Sequence, residues 1–248
     1  MPHTSRKRYA VVSCHVEQPL DDAAWARFAR MQERRPGGFA IAGLVRPPDP
    51  SAGEDERAWL ERARQAAARA PLGHHTHWTS PTHARPTDGG TGERVRAEGA
   101  RMCELGLAPA LFCGGGWYTD VGVAEACAEL GYVDCTPRAV RPPYLPARAR
   151  WACLPQPARV RLPSERELLA LPTTHSLGDL ARALARRALP PLVHVYFHDT
   201  DLLDAGRRTL LRTLLQLLAR VAEPTDPVIA AASGTKSPAI PWSDVLRE

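Results

Sequence analysis

Apolar and polar positions along this chain follow two rhythms, and the rhythms take turns. Tyr9 to Val16 is a β-prone apolar run, and Asp21-Asp22 opens a stretch with Ala, Trp and Phe at helical intervals that reaches Arg35, where Pro36-Gly37-Gly38 stops it. The pair predicts a strand and then a helix, and the unit recurs. Phe39 to Val45 predicts a strand, Glu54 to Arg69 a helix, Leu72 to His77 a short strand, Glu93 to Leu105 a helix ended by Gly106, and Ala108 to Cys113 the next strand. After the Gly114-Gly115-Gly116 turn, Val121 to Leu130 predicts a helix closed by Gly131, and Tyr132 to Cys135 a strand. Between Arg138 and Pro172 the prolines Pro142, Pro143, Pro146, Pro155, Pro157 and Pro163 break any long element, so extended pieces and loops are expected. Regularity resumes with a helix over Ser176 to Leu189, a strand over Leu192 to Phe197, a long amphipathic helix from Leu202 to Val221 and a last strand, Val228 to Ala232.

Strands alternating with helices imply right-handed crossovers and a mostly parallel sheet. At 248 residues, at least six such units fit one α/β domain spanning the chain. They favour closure into a (β/α) barrel, with a doubly wound open sheet as the second architecture. In either, functional groups belong in the loops after the carboxyl ends of the strands.

Charge narrows the partners. The net charge is +5, but lysine is confined to Lys7 and Lys236, and the arginines are scattered through helical stretches that also carry Glu, Asp and Ala. No basic stripe results, so no nucleic-acid partner is expected. The six cysteines form no C-x-x-C pair and sit mostly in apolar runs, which reads as reduced thiols in a cytoplasmic protein. Arg6, Lys7 and Arg8 precede an apolar run too short for a signal-peptide core, and no segment is long and apolar enough to span a membrane. The Arg/Ala-rich helices are compatible with a monomer or a homo-oligomer.

Three strand ends carry the ionisable groups. In Cys14-His15-Val16-Glu17 the period of two puts His15 and Glu17 on one side. In Gly73-His74-His75-Thr76-His77-Trp78, His75 and His77 share a face and His74 takes the other, while His83 follows in the loop. In Leu192 to Asp199, His194, Tyr196 and His198 share a face, with His198-Asp199 at the mouth. His194, deep in an apolar strand, reads as a core histidine, and His74 as structural. Two imidazoles two residues apart at a strand end suit a divalent transition metal, and Glu17 supplies a carboxylate from a neighbouring strand end. Such a His/His/carboxylate set with open positions is a hydrolytic site type, and zinc is the expected ion.

In order and type these segments resemble the motifs of the polysaccharide deacetylase (NodB-homology) family. His15-Val16-Glu17 lies where that family has an acidic pair, Gly73-His74-His75-Thr76 looks like its metal motif, and Leu111 to Tyr118 occupies the place of its arginine loop. Tyr196-Phe197-His198-Asp199 is similar to its last motif. The resemblance spans residues 9 to 232 and implies an irregular seven-stranded deacetylase-type barrel. It also implies Glu17 and His75 as metal ligands, His198 as the acid that protonates the leaving amine, and His15 in place of the base aspartate; Asp199, beside His198 at the strand mouth, is expected to set its tautomer. The chain departs from the pattern at two points. Thr79 stands where a second histidine should follow His75, leaving His77 or His83 to complete the site, and Cys113 replaces the expected arginine. Trp78, Trp117 and Tyr118 are expected to wall an acyl or sugar pocket, with backbone N–H groups of the glycine turn facing the oxyanion. The expected activity is metal-dependent removal of an acyl group, acetyl first, from an amino sugar, small sugar conjugate or oligosaccharide. The alternative is a catalytically degenerate barrel that binds a carbohydrate or a partner protein.

Overall fold

A computed structural model describes residues 8–146 and 148–247. Arg6 and Lys7 lie outside the described residues, whereas Arg8 donates from Nε to the Leu189 carbonyl at 3.2 Å. Seven strands of a ten-stranded sheet frame the site: β1 Tyr9–Val16, β2 Ile41–Val45, β3 Leu72–Thr76, β4 Leu111–Gly114, β5 Val133–Asp134, β6 Glu167–Ala170 and β7 Leu192–His198. β1 pairs in parallel with β2 on one side and with β7 on the other, and parallel ladders continue through β3, β4, β5 and β6. A single parallel bridge, His175 to Val195, joins the segment after β6 to β7. The path of neighbours thus approaches β1 again, through an isolated bridge and not a continuous ladder between β6 and β7.

Helices α1 Asp22–Arg34, α2 Glu56–Ala67, α3 Thr91–Glu104, α4 Val121–Glu129, α5 Leu177–Ala185 and α6 Ala205–Leu218 occupy the crossovers. Their starts are set by short polar side chains. Asp21, Asp55, Asp120, Ser176 and Asp204 each accept a backbone N–H of the first turn. α1 buries Trp25, Phe28 and Met31 along one stripe against Cys14 and Val16 of β1. A second outer layer packs Val95, Val123 and Cys127 of α3 and α4 on Phe112 and Tyr132. The interior is narrow and mixed. Val11, Leu44, Leu111, Val133 and Leu171 pack together in it, and Ser13 and His194 bond each other at 2.9 Å. His194 is thus the core histidine that the strand pattern implies. Gly73 makes room in this layer, since a Cβ there would meet the Leu44 side chain at 2.1 Å.

Two regions correct the sequence reading. Val228 to Ala232 is no strand but lies within a short helix, α7 Pro227–Ala232. Asp226 accepts from the Val228 and Ile229 amides and Pro227 opens the first turn, a helix-start signal that outweighs the β-prone Val-Ile pair. Ala230 and Ala231 of this helix pack with Val11, Leu111 and Val133 at the amino ends of the strands. In the proline-rich stretch, Ala158–Arg161 forms an antiparallel pair with β6. No helix among the described residues is long and apolar enough to cross a membrane.

Candidate metal centre

The register brings the three predicted strand ends to one mouth. His15 of β1 is paired with His198 of β7, and His75 of β3 with Cys113 of β4. A cavity of about 300 Å3 opens over them, lined by His15, Glu17, His75, Trp117, Tyr144 and His198 among others. Glu17, His75 and His77 present donor atoms within 4.8 Å of one another. Glu17 Oε1 stands 4.0 Å from His75 Nε2 and 3.7 Å from His77 Nε2.

How the two imidazoles are held decides what they offer. His75 donates from Nδ1 to the Cys113 carbonyl at 2.8 Å, and His77 donates from Nδ1 to the Pro81 carbonyl at 2.9 Å. Each proton is fixed on Nδ1, so each Nε2 is a bare lone pair, and both Nε2 atoms are buried without a hydrogen-bond partner. Ligating histidines are oriented in this way, by a hydrogen bond from the other ring nitrogen. Donors bound tetrahedrally at about 2.1 Å from one zinc ion stand about 3.4 Å apart, so the three groups, at 3.7 and 4.0 Å and all within 4.8 Å, would close in to hold one. The residues fit a divalent ion. Burial draws His75 down to about 4, which keeps it neutral and able to ligate. Burial opposes ionisation of Glu17, and the neighbouring His198 favours it.

His83 lies exposed in the loop, its amide bonded to Ser80, and His77 rather than His83 joins the cluster. His15 packs its ring 4.7 Å from His75 and 5.4 Å from Tyr196. Burial first, then His75 and His198, hold His15 well below 6.5. Its Nε2 is also buried and unpartnered, and with His75 and Cys113 it forms a second cluster of donors sharing the same histidine. His198 is one-third exposed, with Nε2 3.6 Å from Glu17. Although burial opposes the charge, Asp201 and Glu17 raise its pKa.

Several expected roles move to other residues. Asp199 does not face the His198 ring. It accepts the backbone amides of Glu17, Gln18 and Thr200, at 3.2, 2.9 and 2.9 Å, and so fixes the strand end that carries Glu17. The carboxylate at His198 Nδ1 is Asp201, 3.6 Å away, which also accepts the His198 amide. The spacing of three, on a chain turning into a helix, is the signal that could have identified it. Trp117 lines the cavity as expected, but Trp78 and Tyr118 pack edge to face on each other outside it, with Trp78 Nε1 donating to Gly115 and the Tyr118 hydroxyl donating to Asp120. Tyr144, from the proline-rich loop, is the second aromatic wall and bonds Trp117 Nε1 through its hydroxyl. In the glycine turn the Gly114 amide is taken by Thr136 Oγ1 at 2.8 Å and does not face the cavity as an oxyanion donor. Gly116 and Trp117 both adopt left-handed φ, 59° and 57°. For a bulky residue this is costly, and it turns the indole over the site.

No family model matches the chain, and no curated protein matches it in sequence. Solved structures do match in shape. The 4-alpha-glucanotransferase of Thermococcus litoralis superposes on 91% of this chain with a TM-score of 0.54 and 11% identity, and the chain spans 38% of that protein's length. A family 4 carbohydrate esterase from Streptomyces lividans, solved in complex with acetate, superposes on 90% of this chain and 95% of its own, with a TM-score of 0.50 and 11% identity. The chain shares its α/β fold with these two proteins. At these identities the likeness concerns the barrel and its strand order, and the chemistry rests on the side chains described above.

Proposed function

We propose that this chain is a metal-dependent hydrolase that removes an acyl group, acetyl first, from an amino sugar or small sugar conjugate. One observation carries the reading. Two histidines tethered through Nδ1 turn unpartnered Nε2 lone pairs toward a single carboxylate at the floor of a cavity. In water-excluded surroundings such lone pairs cost free energy unless something accepts them. In this proposal Glu17, His75 and His77 hold the ion, with zinc favoured by the N and O donors. A divalent ion there supplies Lewis acidity toward the acyl carbonyl and a lowered pKa for water.

The remaining roles belong to the chain. His15, neutral and beside the ligand histidine, accepts the proton of the attacking water. His198, steadied at Nδ1 by Asp201, returns a proton to the leaving amine nitrogen. Trp117 and Tyr144 shelter the acyl group and exclude water. Asp199 keeps Glu17 in place through the amides it accepts. The glucanotransferase likeness suggests glycosyl chemistry instead, but that chemistry uses two facing carboxylates, and Glu17 is the one carboxylate among the residues lining this cavity. The reading is tested by release of acetate from N-acetylated amino sugars, with zinc supplied, by the wild type and by Glu17→Gln. Activity that Glu17→Gln removes supports it, and equal activity in both overturns the ligand set.

A further inference from the structure

We propose that the cleft behind the Trp117–Tyr196 aromatic pair is an oxyanion subsite, and that the substrate is an acylated sugar carrying a phosphate or a carboxylate. That substrate class rests on the hydrolase reading; the anion binding does not. The key residue is Arg138, a cation that is 5% exposed. Its guanidinium lies 4.4 Å from the Trp117 ring centroid and 4.8 Å from that of Tyr196. Its Nε and Nη1 have no hydrogen-bond partner. The backbone is clamped on both sides, with the Arg138 amide donating to Ala152, its carbonyl accepting from Leu154, and bridges to Cys153 and Thr173. The backbone is thereby fixed where the side chain lies against Trp117 and Tyr196. Aromatic faces offset part of the cost of burying a cation, but orphaned N–H donors still call for an acceptor.

The surroundings supply further guanidiniums, of which Arg182 is paired with Asp179 and Arg141 donates to the Pro146 carbonyl. Arg138 lines a cleft of about 320 Å3 together with Arg141 from the proline-rich loop, Arg182 and Arg186 from α5, and His175. Asp179 is the one acid among the lining residues, and it is already committed. It accepts from the Ser176 amide at 3.1 Å, the Ser176 hydroxyl at 2.7 Å and Arg182 Nη2 at 2.6 Å. Four guanidiniums against one occupied carboxylate make a cleft that favours planar or tetrahedral oxyanions, which the guanidinium fork matches in a bidentate manner. The position suits a substrate group. Trp117 bounds the hydrolytic cavity and stacks on Arg138, while Tyr144 of that cavity follows Pro142 and Pro143 of the cleft. The wall between the two is one aromatic residue thick, so one sugar conjugate can place its acyl group on one side and its anion on the other.

The test uses metal-stripped full-length protein at constant ionic strength, titrated calorimetrically with inorganic phosphate, glucose 1-phosphate, glucuronate and glucose. Saturable binding of phosphate and of at least one anionic sugar, retained in Glu17→Gln, is expected. Arg138→Gln should abolish it, and Arg182→Ala with Arg186→Ala, both outside the barrel, should weaken it by about tenfold or more. Preference for glucose 1-phosphate or for glucuronate then tells a phosphate from a carboxylate. Should Arg138→Gln fail to fold, the α5 double variant carries the test alone. Absence of saturable anion binding in the wild type, or wild-type binding in the α5 double variant, overturns the proposal. Because no turnover is read, a failed hydrolysis assay and failed anion binding are separate results.

Discussion

His74 and His75 are adjacent on β3 and point to opposite faces, so replacing each by alanine separates metal chemistry from structure. His75→Ala removes one of three proposed ligands. Binding energies of about 10–16 kcal/mol shared over four zinc ligands amount to about 3 kcal/mol each, so affinity should fall about 10²-fold. At zinc concentrations that saturate the wild type a hundred times over, the ligand-linked stabilisation of about 2.7 kcal/mol should then largely vanish. The metal-free variant should lose less, because deletion removes a buried orphaned Nε2 along with the bond to the Cys113 carbonyl. His74→Ala should do the reverse. That ring is fully buried between Phe112 and Tyr132, and bonds Glu98 at 2.8 Å and Thr76 at 2.9 Å. Its loss leaves a cavity and a carboxylate short of a partner, about 3 kcal/mol or roughly 9 °C in melting temperature, with zinc affinity unchanged. The assay is zinc titration against a chromophoric chelator, with thermal melts of the metal-free and loaded proteins. Unchanged zinc affinity in His75→Ala, or equal loss in a folded His74→Ala, would refute the ligand assignment.

His15→Ala should reduce turnover by on the order of 10²-fold while zinc content stays the same, and the rising limb of the wild-type pH–rate profile should lie below pH 6.5, since burial holds this imidazole neutral; a retained ion with undiminished turnover would remove His15 as the base. His198→Ala should lower turnover by a similar factor with little change in melting temperature, and Asp201→Asn should lower it less; a variant that loses zinc instead would make His198 a ligand. Burial pushes the Asp134 carboxyl up from 3.8 to about 6, so the stability it contributes is complete below about pH 4 and is lost as pH rises through 6, a change of about 3 kcal/mol that Asp134→Asn should flatten in urea titrations at several pH values.

Strand–helix alternation was legible because it depends on local periodicity, and each of the seven strands but β6 overlaps a strand read from the sequence. The shared face of His75 and His77 was legible for the same reason, since a period of two brings them together and turns His74 away. What failed depended on partners distant in sequence. Asp199 and Asp201 are equally acidic neighbours of His198, and only the return of the chain to the Glu17 amides separates them. Trp78 and Tyr118 read as pocket walls by adjacency, yet each turns its ring outward to the other. Arg138 and the arginines of α5 are 44 and 48 positions apart in sequence, so the basic cleft exists only after β6 and β7 are brought together. At Val228 to Ala232 the cause is local: the Asp226-Pro227 helix start outweighs the β-branched Val228-Ile229 pair.

The central claim is that the cavity at the strand ends hydrolyses an acylated amino sugar with the aid of an ion held by Glu17, His75 and His77. Its most direct test is acetate release from a broad panel of neutral and anionic N-acetylated amino sugars, assayed with metal-stripped protein before and after addition of one equivalent of zinc. The account predicts no release without the ion, release with it, and none with His75→Ala under the same zinc. Release that persists in the stripped protein, or no release from any sugar by zinc-loaded wild type, would contradict it.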